Sequence, residues 1–220
     1  MRDGREEAVR RDIVLDAAMV QFWRAWYADT SLDDLSRATG LNRSSIYCSF
    51  GNKDSLYLRC LDRYAVRYGD KYEQALSSVA SGEPLRAIQA FFEVTLQRIA
   101  DPDVPDGCLV AQTAMATPVL SPAIATRAIE AVGLQRARLR TALNTAELAE
   151  GDAENYATHI TAVNQSLAVM SRAGASQKQL RTIVDISMSA LSQACTAGAR
   201  AGLEPASWTV LSGTPGSTIK

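Results

Sequence analysis

Histidine is almost missing from this chain: one residue, His159, stands among 220. A tetrahedral zinc cage or a histidine-centred proton relay therefore has nearly nothing to be built from. Cysteine is sparse too, with Cys48, Cys60, Cys108 and Cys195 widely spaced and no C-x-x-C pair among them, which excludes the common zinc and dithiol frames. There is no G-x-S-x-G elbow, no glycine-rich phosphate loop and no recognisable pair of catalytic carboxylates. The chain is thus not expected to be an enzyme, nor to need a cofactor or metal. No apolar run approaches the roughly 18 residues of a spanning helix. Residues 1–11 are charged and mixed in sign, with no hydrophobic stretch behind them, unlike a secretory signal. A cytoplasmic protein with reduced thiols and no membrane partner is the expectation. Excess charge is also lacking, because 23 Lys+Arg face 24 Asp+Glu. That excludes a polybasic binder drawing its affinity from global charge, while leaving local patches open.

What is present is helical periodicity. The chain is long enough for one or two domains that bury about 70% of the unfolded surface. Val14, Ala18 and Phe22 recur at helical spacing with Leu15 beside them, which predicts a helix from about Arg10 to Trp26. Ser31 precedes Leu32-Asp33-Asp34-Leu35, an N-cap with acids in the first turn, and Gly40 stops that helix within about two turns. Asn42 caps a second short helix, Arg43 to Ser49, and Asn52 caps a long one from Lys53 to Leu76 with Leu56, Leu61 and Tyr64 on its stripe. A Ser/Gly/Pro break from Ser77 to Pro84 is the candidate domain boundary. Further helices are expected over Leu85–Ala100, Cys108–Ala116, Pro122–Glu150, Ala153–Arg172 and Gln177–Arg200, so the fold class is all-α with about nine helices. The domains read as 1–55, 56–201 and a flexible tail over 202–220, in which Trp208 is a candidate anchor.

The short helix, glycine turn and short helix from Ser31 to Phe50 form a helix-turn-helix. Its geometry asks for small or apolar residues where the helices cross (Leu35, Ala38, Leu41, Ile46) and for a second helix with a short, polar, cationic outer face. Such a face enters a DNA major groove about 12 Å wide. Arg43, Ser44, Ser45, Tyr47 and Cys48 supply it. Charge is segregated accordingly: residues 1–34 hold five basic and eight acidic side chains, whereas residues 35–63 hold five basic and two acidic ones.

Val14-Leu15-Asp16-Ala17-Ala18 with Phe22, Tyr27, Thr30-Ser31-Leu32 and Leu35, then Thr39-Gly40-Leu41-Asn42-Arg43-Ser44-Ser45-Ile46-Tyr47, Phe50, Asn52-Lys53 and Leu56, resemble the first four helices of the TetR/AcrR family of bacterial transcriptional repressors. Asp106-Gly107-Cys108-Leu109-Val110 and Ser171-Arg172-Ala173-Gly174-Ala175 resemble one subgroup's ligand-binding domain. The resemblance implies a homodimer joined through the last two long helices, and a palindromic double-stranded operator released when a small-molecule effector binds. It also implies that Arg43 and Ser44 read base edges, that Ser45 reaches base or phosphate, and that Tyr47 and Lys53 hold phosphates. Ser31 is expected to add a phosphate contact through its hydroxyl or backbone N–H. Cys48 and Ser49 complete the DNA-facing set, although Ser49 stands where the family has a large polar residue. Trp26 stands where the family has the glycine that ends its first helix. A left-handed L-residue costs about 1–2 kcal/mol, so that helix is expected to end differently here.

The same resemblance makes Tyr64, Tyr68, Phe91, Phe92, Leu96, Cys108, Gln112 and Met115 candidates to line an effector pocket, against ordinary core packing for each. Cys108 opens a helix, where thiols gain reactivity, so an electrophile- or oxidant-sensing regulator stands beside the effector-released one. The competing reading of Cys108 is a small buried hydrophobe. Cys60 and Cys195 read as structural, and His159 as an interface or core residue. Leu167, Met170, Ile183, Ile186 and Leu191 suit either a two-fold helical interface or an intramolecular core. In a different class altogether, a helical ligand-binding adaptor without DNA binding remains the rival.

Overall fold

The computed structural model describes residues 4–77, 83–146, 148 and 151–203, with side chains from residue 6 to residue 197. Among them all regular structure is helical: α1 (Gly4–Asp29), α2 (Leu32–Thr39), α3 (Arg43–Phe50), α4 (Lys53–Ser77), α5 (Pro84–Ala100), α6 (Leu109–Met115), a 3-10 turn (Thr117–Val119), α7 (Pro122–Leu143), α8 (Asp152–Arg172) and α9 (Gln177–Leu203). The expected break at Ser77 to Pro84 falls where α4 stops and α5 starts, with Pro84 in the first turn of α5, where its missing N–H costs nothing. Residues 78–82, and the expected tail from 204 onward with Trp208, lie outside the described residues.

Local chemistry explains most of these ends. Ser31 caps α2 in a full capping box: Asp34 N–H donates to Ser31 Oγ (3.1 Å), and Asp34 Oδ2 accepts from the Ser31 backbone N–H (2.8 Å). Gly40 follows in left-handed geometry, φ 69°, and its N–H donates to the Ser36 carbonyl. Asn42 Oδ1 and Asn52 Oδ1 each accept at 2.8 Å from the N–H three residues on, capping α3 and α4. Two ends differ from expectation. Cys108 is the cap of α6 rather than its first residue, its Sγ accepting from Ala111 N–H at 3.5 Å. And α7 stops at Leu143, well short of Glu150: Asn144 and Thr145 are poor helix formers, and the Ala146 N–H turns back onto the Leu143 carbonyl.

The helix α4 is the beam on which both halves rest. It buries Leu56, Tyr57, Cys60, Leu61, Tyr64, Tyr68 and Tyr72, one or two per turn along its length. The first of these pack on α1, where Val14, Ala18, Met19, Phe22 and Trp23 form the facing stripe and the Phe22 and Tyr57 rings meet edge to face at 4.7 Å. The last pack on α5, with Tyr72 and Phe91 at 4.7 Å. One apolar cluster therefore runs through both halves. Asp16 of α1 adds an ion-pair weld to Arg63 and Arg67 of α4. Among the described residues no helix is long and apolar enough to cross a membrane.

Trp26 has φ 67° and ψ 164° inside α1, so the helix breaks there before a last turn to Asp29. The different ending expected here is not found: Trp26 itself takes a positive φ where the family has glycine, and the helical stretch breaks at this position.

Candidate DNA-reading surface and regulatory cavities

Leu35 of α2 and Ile46 and Phe50 of α3 are buried and fix the crossing of the two short helices, with Leu41 half-buried between them. Ala38, expected at that crossing, is exposed instead, because the inward stripe of α2 continues from Leu35 to Thr39. The outer face of α3 presents Arg43, Ser44, Tyr47, Cys48 and Ser49 to solvent, with Ser45 half-buried at its edge. Tyr47 keeps 49% of its surface exposed.

Arg43 is held by a carboxylate in the absence of DNA. Its Nε donates to Asp33 Oδ1 at 2.7 Å and its Nη2 to Asp33 Oδ2, with both side chains 60% exposed. The guanidinium holds the Asp33 carboxyl below the usual carboxylate range. Ser31 has both of its donors engaged by Asp34, the hydroxyl at 2.6 Å and the N–H at 2.8 Å, so either expected phosphate contact would have to displace that carboxylate. Lys53 Nζ lies 4.3 Å from the centre of the Tyr27 ring, and partial burial lowers its pKa. Tyr27 in turn donates its phenol hydrogen to Asp54.

Two cations that sequence reasoning missed join this surface. Arg10 and Arg11 of α1 line a cleft of about 410 Å³ with Cys48, Ser49 and Phe50 of α3. The Arg11 and Arg59 guanidinium carbons both lie 5.7 Å from the centre of the Phe50 ring. No spacing signal reveals Arg10 and Arg11, since they belong to the net acidic stretch of the sequence.

The effector-pocket candidates divide among three places. Tyr64, Tyr68, Phe91 and Cys108 meet around a cavity of about 80 Å³ between α4, α5, α7 and α8, together with the missed residues Tyr72, Arg127, Arg138, Asn164 and Gln165. The Tyr64 hydroxyl donates to Cys108 Sγ at 3.2 Å, and Tyr72, Thr95 and Asn164 form a buried chain of bonds at 2.8 and 2.5 Å. Gln165 Nε2 donates to Gln135 at 3.0 Å, while its buried Oε1 has no partner. Burial pushes the Tyr64 phenol well up from its ordinary pKa. Cys108 also faces a second, shallower cavity of about 310 Å³, where Gln112 and Met115 sit with Trp26 and Arg172. Phe92 and Leu96 line neither: both are packed into the core by α5. His159 is exposed on α8 and so is not a core histidine, whereas Cys60 is buried, its thiol pKa raised by that burial.

A polar knot ties the second cavity to the reader. Arg172 Nη2 donates to the Trp23 carbonyl at 2.6 Å, to Gln112 Oε1 at 3.2 Å and to the Asp106 carbonyl at 3.2 Å. Gln112 Nε2 donates to the Phe22 carbonyl at 3.0 Å, and the Arg172 guanidinium lies 5.4 Å from the Trp26 ring centre. The broken end of α1 is thus held by α6 and α8.

Comparison with known proteins now bears on this arrangement. Residues 14–60 match the family described as bacterial regulatory proteins, tetR family. Residues 84–186 match the transcriptional regulator LmrA/YxaF-like C-terminal domain. The HTH-type transcriptional repressor ComR of Escherichia coli (strain K12) is 30% identical over 190 residues, which cover 82% of this chain and 88% of ComR. The chain belongs to the TetR family. Its fold is similar to that of the TetR-family regulator CifR, solved as a cysteine mutant with 26-base-pair double-strand operator DNA (TM-score 0.72, 26% identity, 82% of this chain and 96% of that one). It is also similar to a TetR regulator from Chloroflexus aurantiacus (TM-score 0.77, 24% identity, 86% and 97% covered). This TetR-family protein is accordingly a helix-turn-helix transcriptional regulator.

Proposed function

We propose that this TetR-family regulator is a cytoplasmic homodimeric repressor that binds a palindromic operator and leaves it when a small molecule enters the cavities walled by α6 and α8. Residues 1–55 act as the reader, and residues 56–201 bind effector and form the dimer. The observation that carries this reading is the polar knot: side chains of α6 and α8 that wall a cavity, Gln112 and Arg172, also hold the last carbonyls of the first helical stretch of α1. An effector that moves α6 or α8 therefore moves the reader. The family relatives support the partner, since CifR is solved with operator DNA and ComR is named a repressor. On the operator, Arg43 leaves Asp33 for a base edge beside Ser44. Ser45, Tyr47, Ser49 and Lys53 face the backbone.

Filter binding to DNA flanking the protein's own gene, repeated over a salt series, tests this. Arg43→Ala is expected to cost about 1–3 kcal/mol and to relax specificity at one base pair. Lys53→Ala is expected to weaken all sequences alike and to reduce the salt slope by about one unit. Absence of any two-fold footprint would favour the adaptor reading instead.

A second reading, covalent sensing at Cys108, is favoured by the position of its sulfur: it caps α6, accepts from the Tyr64 hydroxyl and faces both cavities. Mass spectrometry after mild peroxide or quinone treatment decides it; an unmodified Cys108 would remove the reading.

A further inference from the structure

Arg98 in the last turn of α5 is a buried cation with no counter-ion. Only 6% of the residue is exposed. Its Nη1 donates to the Gly107 carbonyl, while its buried Nε has no hydrogen-bond partner. Its guanidinium carbon lies 5.6 Å from the Trp23 ring centre and 5.7 Å from that of Tyr68. Other arginines of the regulatory half, such as Arg127, Arg138 and Arg181, each meet a carboxylate. No ion pair of Arg98 is found among the described residues. Burying a guanidinium without an anion is costly, and two aromatic faces offset only part of that.

A second cation with no ion pair among the described residues shares the same ring. Lys71 Nζ lies 5.5 Å from the centre of Tyr68. Tyr68, Lys71 and Arg98 line one open cleft of about 530 Å³, together with Val94, Val104 and Asp101. The Asp101 carboxylate accepts from the Asp103 N–H at 3.0 Å and makes no ion pair with either cation. The cleft therefore carries a net charge of one positive unit, with Val94, Val104 and the Tyr68 ring as apolar surface beside the polar Gln74 and Gln97.

We propose that this cleft between α4, α5 and the 101–104 loop binds a monocarboxylate with a small apolar body, Arg98 taking the carboxylate and Lys71 closing over it. A guanidinium offers a fork of N–H donors that suits a planar carboxylate. The Asp101 carboxylate on the same wall disfavours a dianion such as phosphate. Because the guanidinium also holds Gly107 and faces Trp23, a bound carboxylate competes with both contacts and reports at the Trp23 indole. The site shares only the Tyr68 ring with the smaller effector cavity argued above, and its binding is measured without DNA, so a failure of benzoate binding and a failure of effector-driven operator release are read separately.

The test is calorimetric titration of the full chain with benzoate, its neutral isostere benzamide and inorganic phosphate, with tryptophan fluorescence as the second readout. Benzoate is expected to bind in the millimolar range or tighter, with benzamide and phosphate weaker by about tenfold or more. Lys71→Met changes an exposed side chain and should weaken benzoate by about threefold to tenfold; Arg98→Met should abolish binding. Equal affinity for benzoate and benzamide would overturn the proposal. So would unchanged benzoate affinity in Lys71→Met, or no heat and no fluorescence change at about 10 mM.

Discussion

Trp26 sits in a backbone region that glycine occupies freely and other residues rarely do, with φ 67° and ψ 164°; such geometry costs of order 1–3 kcal/mol. Its indole meets the Arg172 guanidinium, so the strained residue is also a contact between α1 and α8. Replacing it separates the two effects. Trp26→Ala and Trp26→Gly both lose the ring, but only glycine relieves the backbone. Trp26→Gly is therefore expected to be the more stable of the two by about 1–2 kcal/mol in urea melts. The Arg43–Asp33 pair is a second residue-scale device. In the proposed complex Asp33 would compete with DNA for the arginine and repel phosphate. Asp33→Asn is expected to raise affinity for unrelated DNA more than for the operator, lowering the ratio of the two in competition binding.

At the scale of elements, α1 is fastened to α4 by Asp16, whose oxygens accept from Arg63 Nε and Nη2 at 2.7 Å each and from Arg67 at 2.8 Å. The hydrogen bond from Arg63, reinforced by the charge of Arg67, holds the Asp16 carboxyl below its ordinary pKa. A carboxylate lowered on folding stabilises the protein above its unfolded pKa of about 3.9. That contribution fades as pH falls through the lower folded value. Asp16→Asn should thus flatten the acid limb of the stability profile below about pH 4 while destabilising the protein at neutral pH. Thermal melts from pH 3 to pH 7 read both effects. The capping box of α2 gives a simpler test: Ser31→Ala is expected to cost about 1 kcal/mol of stability. Any loss of operator affinity beyond that unfolding would belong to a phosphate contact.

The whole molecule leaves Met170 and Val169 of α8 and Ile186 of α9 facing outward, Ile186 with 66% of its surface exposed. Leu167 and Leu191 of the same two helices are buried within the chain. Of the five residues named from the sequence, Leu167 and Leu191 are thus core, Ile183 is half-buried against it, and Met170 and Ile186 face outward; the outward ones suit the proposed two-fold contact between copies. Ile186→Arg is expected to shift sedimentation from dimer to monomer at micromolar concentration and to remove operator binding, with the far-ultraviolet helix signal unchanged. A variant that stays dimeric would place the interface elsewhere.

The helices, their caps and the reader were legible because their signals are local. A capping box spans three residues and an apolar stripe repeats every three or four, so Ser31, Gly40, Asn42 and the Leu35–Ile46 crossing follow from spacing alone. The motif at 39–56 carried the family for the same reason. The cavities were legible only in part, because their walls come from helices far apart in the chain: Thr95 and Asn164, 69 residues apart, share a hydrogen bond. In α5, Phe91 reaches a cavity while Phe92 and Leu96 fill core, a choice set by which helix packs on each face. The basic edge supplied by Arg10 and Arg11 was hidden by an acidic neighbourhood in sequence, and only the packing of α1 on α2 and α4 brings it to the cleft beside Cys48 and Ser49. The near balance of charge in the composition is real, but folding decides where each charge stands.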